Sequence, residues 1–215
     1  MKFELRDIVT IEYEKRQEIT MELTLKITLA ALLVSFIIMS FIFLAYGVNP
    51  LFAFFSIFSW AYFTPGGFAA TIARTIPLLL CGVGLVIAFK ALFWNIGAEG
   101  QLLMGAVAAT WVALFLPGVP DFLMLPTIYI MAFLFGAIWG VIPAILKVKF
   151  EANEVITTLM MNYIAIKLVK YLVYGPWKGK YVFNFPYSDT FPESAWEPII
   201  PGTTVHLITL AIAII

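Results

Sequence analysis

From Ile27 to Val48 the chain carries no charged side chain. A helix needs roughly 20 apolar residues to cross about 30 Å of hydrocarbon, where each backbone polar group must be satisfied within the helix itself. The run meets that requirement and commits the chain to a bilayer. Composition agrees: of 215 residues, 62% are hydrophobic and 12% charged, about half the ~25% charged share of a soluble domain. A formal net charge of zero leaves no basic face to steer nucleic acid. Cys81 is the one cysteine and His206 the one histidine, so no intrachain disulfide can form and soft-ligand metal sites are poorly supplied. No metal and no cofactor are expected.

The first 26 residues mix five Lys/Arg with six Asp/Glu. They precede an apolar run too long for a signal peptide, so residues 1–26 are read as a retained cytosolic arm and 27–215 as the membrane domain. Asn49-Pro50 ends the first span, because proline disfavours helix in the residue before it. The stretch 51–64 is apolar but short, suggesting an interfacial or re-entrant helix bounded by Pro65-Gly66-Gly67. Arg74 and Lys90 bracket a core of only about 22 Å over 75–89, which Gly82, Gly84 and Pro77 would make weak and bendable. Uncharged runs follow over 100–120 and 122–146, then the helix 155–174 after an Asn153 cap. The 175–204 loop precedes a sixth apolar run, which reaches Ile215 after less than about 20 Å of helix. The expected fold is all-α: a polytopic transmembrane helical bundle of about five complete spans plus a truncated sixth, with a broken or short helix near residues 75–101. The membrane domain is expected to be the N-terminal part of a longer one. A cytosolic N-terminus puts Lys90, Lys147 and Lys149 inside, as cation placement favours, although Lys178 and Lys180 then fall outside.

The chain offers little to catalysis. It has no Gly-x-Ser-x-Gly, no His-Glu-x-x-His and no phosphate-cradling Gly-x-x-x-x-Gly-Lys-Ser/Thr, so no catalytic residue is assigned. Transport suits it better, because polar groups at membrane depth are costly and usually line a cavity or path. The stretch FWNIGAEGQ, residues 93–101, places Asn95, Glu99 and Gln101 around Gly97 and Gly100 in apolar surroundings. Composition leaves two readings open: a solvated hairpin loop, or a helix break near the midplane that presents free N–H and C=O groups. Gly97 and Gly100 would permit the break, and Asn95, Glu99 and Gln101 are candidates for a substrate path. Asn162, mid-helix in TLMMNYIA, is a fourth candidate, with interhelical hydrogen bonding as the plainer reading. Thr157 and Thr158 can bond their own helix and require no further partner.

ALFWNIGAEGQLLMGA (91–106) and NEVITTLMMNYIA (153–165), followed by Gly175-Pro176-Trp177 and Phe185-Pro186-Tyr187-Ser188, resemble the permease subunits of ABC importers for nucleosides and simple sugars, in the ribose-permease-like, branched-chain amino acid/sugar permease superfamily. The likeness spans roughly residues 70–190. It implies a second permease subunit, a paralogue, with ATP-binding cassette subunits hydrolysing ATP on the cytosolic side. It implies an extracellular binding lipoprotein that delivers the solute, in a bacterial or archaeal cytoplasmic membrane. It also favours a helix interruption near the pathway for NIGAEGQ. The coupling helix that docks such permeases on their ATPases is expected beyond Ile215. The alternatives are an ion- or proton-coupled secondary transporter or channel using Glu99, and a non-transporting membrane scaffold.

Overall fold

A computed structural model describes residues 2–5, 9–12, 20–180 and 185–214. It divides into two compact units, Met1–Phe63 and Thr64–Ile215.

In the first unit, strands β1 (Lys2–Leu5) and β2 (Val9–Glu12) pair antiparallel, with Lys2 opposite Glu12. Helix α1 (Met21–Ala45) starts before the uncharged run, inside the expected arm. The Thr20 hydroxyl accepts the Leu23 N–H, and Lys26 pairs with Glu22 at 2.7 Å one turn away, so the charged turn is locally satisfied. The helix ends at Ala45 because Gly47 turns left-handed, φ +74°, and the Val48 N–H returns to the Phe43 carbonyl. Helix α2 (Pro50–Phe63) is the short apolar helix foreseen at 51–64; Asn49 caps it by accepting the Leu51 N–H at 3.0 Å. Its Phe54 meets Phe36 and Phe43 of α1 edge-on, at 5.0 and 5.4 Å between ring centres.

The second unit carries α3 (Pro65–Lys90), α4 (Ala98–Phe115), α5 (Asp121–Phe150), α6 (Glu154–Tyr174) and α7 (Leu207–Ile214). Helix α3 is longer than the 75–89 core that the charges suggested. The Thr64 hydroxyl accepts the Gly67 N–H at 3.1 Å and Pro65 occupies the first turn, where its missing N–H costs nothing. Pro65-Gly66-Gly67 therefore starts a helix as well as closing the one before it. Arg74 and Pro77 lie within α3, which at 26 residues reaches ~39 Å. The break near 75–101 falls at residues 91–97, between two complete helices.

Among the described residues five helices (α1, α3, α4, α5 and α6) are long and apolar enough to cross a membrane; the chain is a multi-pass membrane protein. Helix α4 packs most closely on α5 and also on α6. Small residues permit this approach: a Cβ on Gly105 would lie 3.1 Å from the Ala132 carbonyl oxygen, and one on Gly136 would lie 3.2 Å from that of Gln101. Ala108, Val112, Thr158 and Ala165 are fully buried. On α3, Ala69 and Ile76 pack with Val205, joined by Leu210 and Ala213 of α7.

Several contacts hold the 175–204 loop among its described residues. Trp177 stacks on Phe115 at the end of α4, 5.4 Å between ring centres. The Gly179 N–H donates to the Tyr187 carbonyl. Glu197 accepts from both the N–H and the hydroxyl of Thr209, whose hydroxyl also lies 3.3 Å from that of Tyr129. Burial of the Glu197 carboxyl works against its charge, but the Thr209 and Tyr129 hydrogen bonds outweigh this and hold it below the usual carboxylate range. A lowered pKa in the fold stabilises the loop fully above the unfolded value and less as pH falls through the folded one. Limited proteolysis of residues 185–204 should therefore accelerate below its ordinary value of 4.5, and Glu197→Gln should remove that acceleration.

The glycines give a second test. Gly105→Leu forces a side chain against a backbone carbonyl and should cost about 1–3 kcal/mol, lowering the thermal midpoint in detergent. A Cβ on Gly82 meets nothing within 4 Å, so Gly82→Ala should raise stability by about 0.5–1 kcal/mol.

Candidate functional site

The polar residues of NIGAEGQ gather where the α3–α4 connection meets α5 and α6. Helix α3 closes in a Schellman turn: the Leu92 N–H donates to the Phe89 carbonyl and the Phe93 N–H to the Ala88 carbonyl. The left-handed position is filled by Leu92, φ +56°, where glycine is usual and a branched side chain costs about 1–2 kcal/mol. Lys147, near the end of α5, holds that turn. Its ammonium donates to the Leu92 carbonyl at 3.0 Å and to Glu154 at 2.7 Å, and it sits 5.3 Å from the centre of the Phe93 ring. One cation thus joins the end of α5, the start of α6 and the α3–α4 turn.

From Leu92 the connection runs inward. The Ile96 N–H donates to the Thr158 hydroxyl at 3.1 Å. The Asn162 amide donates through Nδ2 to the Ile96 carbonyl at 2.9 Å, and its Oδ1 accepts the Gly100 N–H at 2.8 Å. Asn162 lies ~12 Å along α6 from Glu154. The segment therefore descends from the Lys147 end of the helices to a depth of about two turns, and α4 begins there. This is neither a surface hairpin nor a break in the middle of one helix.

Gly97 and Gly100 both sit under α6. A Cβ on Gly97 would stand 3.1 Å from Thr158 Cβ, and one on Gly100 would stand 2.8 Å from Asn162 Oδ1 and 3.1 Å from Trp139 Nε1. Gly97 has an ordinary φ of −88°, and neither glycine is left-handed. What these positions require is the missing side chain, since contact with α6 leaves no room for one. Trp139 Nε1 is buried against Gly100 without a hydrogen-bond partner among the described residues.

The four candidate path residues separate into three environments. Asn162 is buried, 6% exposed, and spends its amide on the α3–α4 connection. Glu99 is exposed on the first turn of α4, where its charge suits the positive end of the helix dipole. Asn95 and Gln101 line a cavity of about 360 Å³ between α3, α4 and α5. Cys81 and Gly84 of α3 and Ala132, Phe133 and Gly136 of α5 form much of its wall. The Gln101 side chain lies over Gly140, in space that a Cβ there would occupy.

Thr158 was expected to bond only its own helix. It does bond the Glu154 carbonyl at 2.7 Å, and its oxygen also accepts the Ile96 N–H. Glu154, Thr158 and Asn162 stand four apart and share one helix stripe. That spacing was the available signal. The Lys147–Leu92 contact carried no such signal, because its two residues lie 55 positions apart.

The chain belongs to the family described as branched-chain amino acid transport system / permease component, which matches residues 67–215. It is 39% identical to the glucose ABC transporter permease protein of Haloferax volcanii over 158 residues, 74% of this chain and 41% of the relative. It is 34% identical to a nucleoside ABC transporter permease protein of Lactococcus lactis over 147 residues, 68% of this chain and 40% of the relative. A guanosine ABC transporter permease protein of Bacillus subtilis is 45% identical over 103 residues, 48% of this chain and 29% of that protein. The chain thus spans about two fifths of the length of the first two relatives. No solved structure matches it.

Asn162→Ala leaves the Gly100 N–H and the Ile96 carbonyl unpaired at a depth that water reaches poorly. Interhelical bonds in membranes are worth about 0.6–2 kcal/mol, and two orphaned backbone groups raise the cost to about 2–3 kcal/mol. Thr158→Val should cost about 1 kcal/mol and Glu99→Gln almost nothing. Thermal unfolding of the three variants in detergent checks this order.

Proposed function

We propose that this chain forms part of the permease subunit of an ATP-driven importer for a nucleoside or simple sugar. One observation carries the reading: the cavity and the Asn162 junction lie within residues 67–215, which the permease family matches, and relatives of the chain are named as nucleoside, guanosine and glucose permeases. In this reading the family's transport path runs beside α4, with Asn95 and Gln101 facing it and Asn162 holding its backbone. Glu99, exposed on the first turn of α4, stands outside that path.

The expected partners are a second permease subunit, separate ATP-binding subunits that hydrolyse ATP, and an extracellular binding lipoprotein that delivers the solute. Residues 1–26 form a cytosolic arm in a bacterial or archaeal cytoplasmic membrane. The Lys147 end of the helices then faces the ATPases, in keeping with Lys90, Lys147 and Lys149 at that end. Lys178 and Lys180, at the opposite end, count against this orientation and are outweighed by the regular alternation of the helices.

The test is uptake into proteoliposomes holding the full-length permease, its paralogue and the ATPase subunits, with ATP trapped on the ATPase side and binding protein on the other. Solute should accumulate only with ATP, survive collapse of the proton gradient and be unchanged by Glu99→Gln. Uptake that continues without the ATPase subunits and stops when the proton gradient is dissipated would refute the reading in favour of a coupled secondary transporter.

A further inference from the structure

Helix α6 carries charge on the side that its own fold does not use. Its buried residues are Thr158, Met161, Asn162 and Ala165, on the side that packs on α4 and α5. On the opposite side Ile156, Met160, Tyr163, Lys167, Lys170 and Tyr174 follow one another at steps of four and three. That spacing sets them on one stripe, and all six are exposed. The half nearer the Lys147 end is apolar, as hydrocarbon requires. The other half is polar throughout. None of Tyr163, Lys167, Lys170 and Tyr174 makes a side-chain hydrogen bond or ion pair among the described residues.

Lipid alone does not answer these groups. The 21 residues of α6 reach ~31 Å, close to the thickness of the hydrocarbon. Lys167 then lies ~10 Å below the Tyr174 end, and Tyr163 ~16 Å below it, near the middle of the bilayer. Helical side chains lean toward the N-terminus, here toward the middle, so Lys167 must bend back to reach headgroups. Tyr163 lies too deep for an aromatic belt, and acyl chains offer its hydroxyl no partner. A neighbouring helix does offer one. Inside the unit, α4 meets α5 and α6 through glycines and a neutral amide; two unpaired lysines mark a contact of another kind. A second copy of this chain does not suit it, because two-fold pairing sets each depth against itself and lysine against lysine. Like charges reject one partner and opposite charges select another. We propose that this stripe is the surface on which a non-identical permease subunit docks, and that the partner places carboxylates beside Lys167 and Lys170. The assignment rests on the permease reading and adds to it the docking face and the charge of the partner.

The full-length permease co-purified with its paralogue gives the test. A membrane-permeable carbodiimide joins a lysine to a carboxylate only where the two touch, and mass spectrometry of the Lys167–Lys170 peptide locates the other end. It should be an Asp or Glu of the other subunit. Lys167→Glu with Lys170→Glu should lower recovery of the pair by about tenfold or more. Lys167→Arg with Lys170→Arg keeps the charge and should stay within about twofold of the parent. Lys178→Glu, in the loop beyond α6, should stay within about twofold as well. A cross-link within the same chain or to a second copy of it, no cross-link at all, or an equal loss in Lys178→Glu would each overturn the assignment. Undiminished pairing in the double Glu variant, with loss of bound phosphatidylglycerol, would give the lysines to a lipid headgroup instead. Uptake by the parent transporter judges the permease reading separately, since ATP-dependent uptake without the cross-link sinks only the docking face.

Discussion

The arrangement of the second unit depends on one side-chain amide. Asn162 donates to the Ile96 carbonyl and accepts from the Gly100 N–H, so it holds both sides of the point where the chain becomes α4. The first N–H groups of a helix have no partner within it, and at this depth water is a poor substitute. A side chain with both a donor and an acceptor meets the need. The two glycines follow from the same requirement, since the bonds form only if α4 and its leader lie almost against α6.

A second constraint acts nearer the membrane surface. Lys147 binds the Leu92 carbonyl, Glu154 and the Phe93 ring, and it keeps Leu92 in a conformation that leucine rarely adopts. The Asn162 junction fixes where the connection ends and Lys147 fixes where it starts. Between them the backbone descends about two helical turns and turns Asn95 toward the cavity. At the far end Glu197 ties the loop to α7 through Thr209. Both ends of the helical bundle are therefore pinned by polar groups, while its middle is held by apolar packing and by the close approach of α4 and α5 at small residues.

Much of the candidate site was legible in the residues. Asn95, Glu99, Gln101 and Asn162 stood out as polar groups in an apolar chain, and interhelical bonding was the plainer reading of Asn162. Their division of labour was not legible. Asn162 and Thr158 are tied to backbone groups some sixty positions away, and no local pattern identifies a distant carbonyl as a partner. Helix α3 shows the same limit in another form. Arg74 and Pro65-Gly66-Gly67 looked like boundaries, but a Thr64 cap and a proline in the first turn fit a helix start equally well. Only the continuous helix from Pro65 to Lys90 distinguishes the two.

The sequence by itself determined that the chain enters a membrane, roughly where its helices lie, and which few residues are chemically out of place there. Those properties follow from side-chain transfer energies and helix length, which act locally and add up along the chain. Tertiary structure alone decided that NIGAEGQ begins a helix two turns below the Lys147 end, that its glycines make room for α6, and that Asn95 and Gln101 share a cavity while Asn162 does not line it. Those outcomes depend on which backbone groups find partners across helices, and that is settled only when the helices pack.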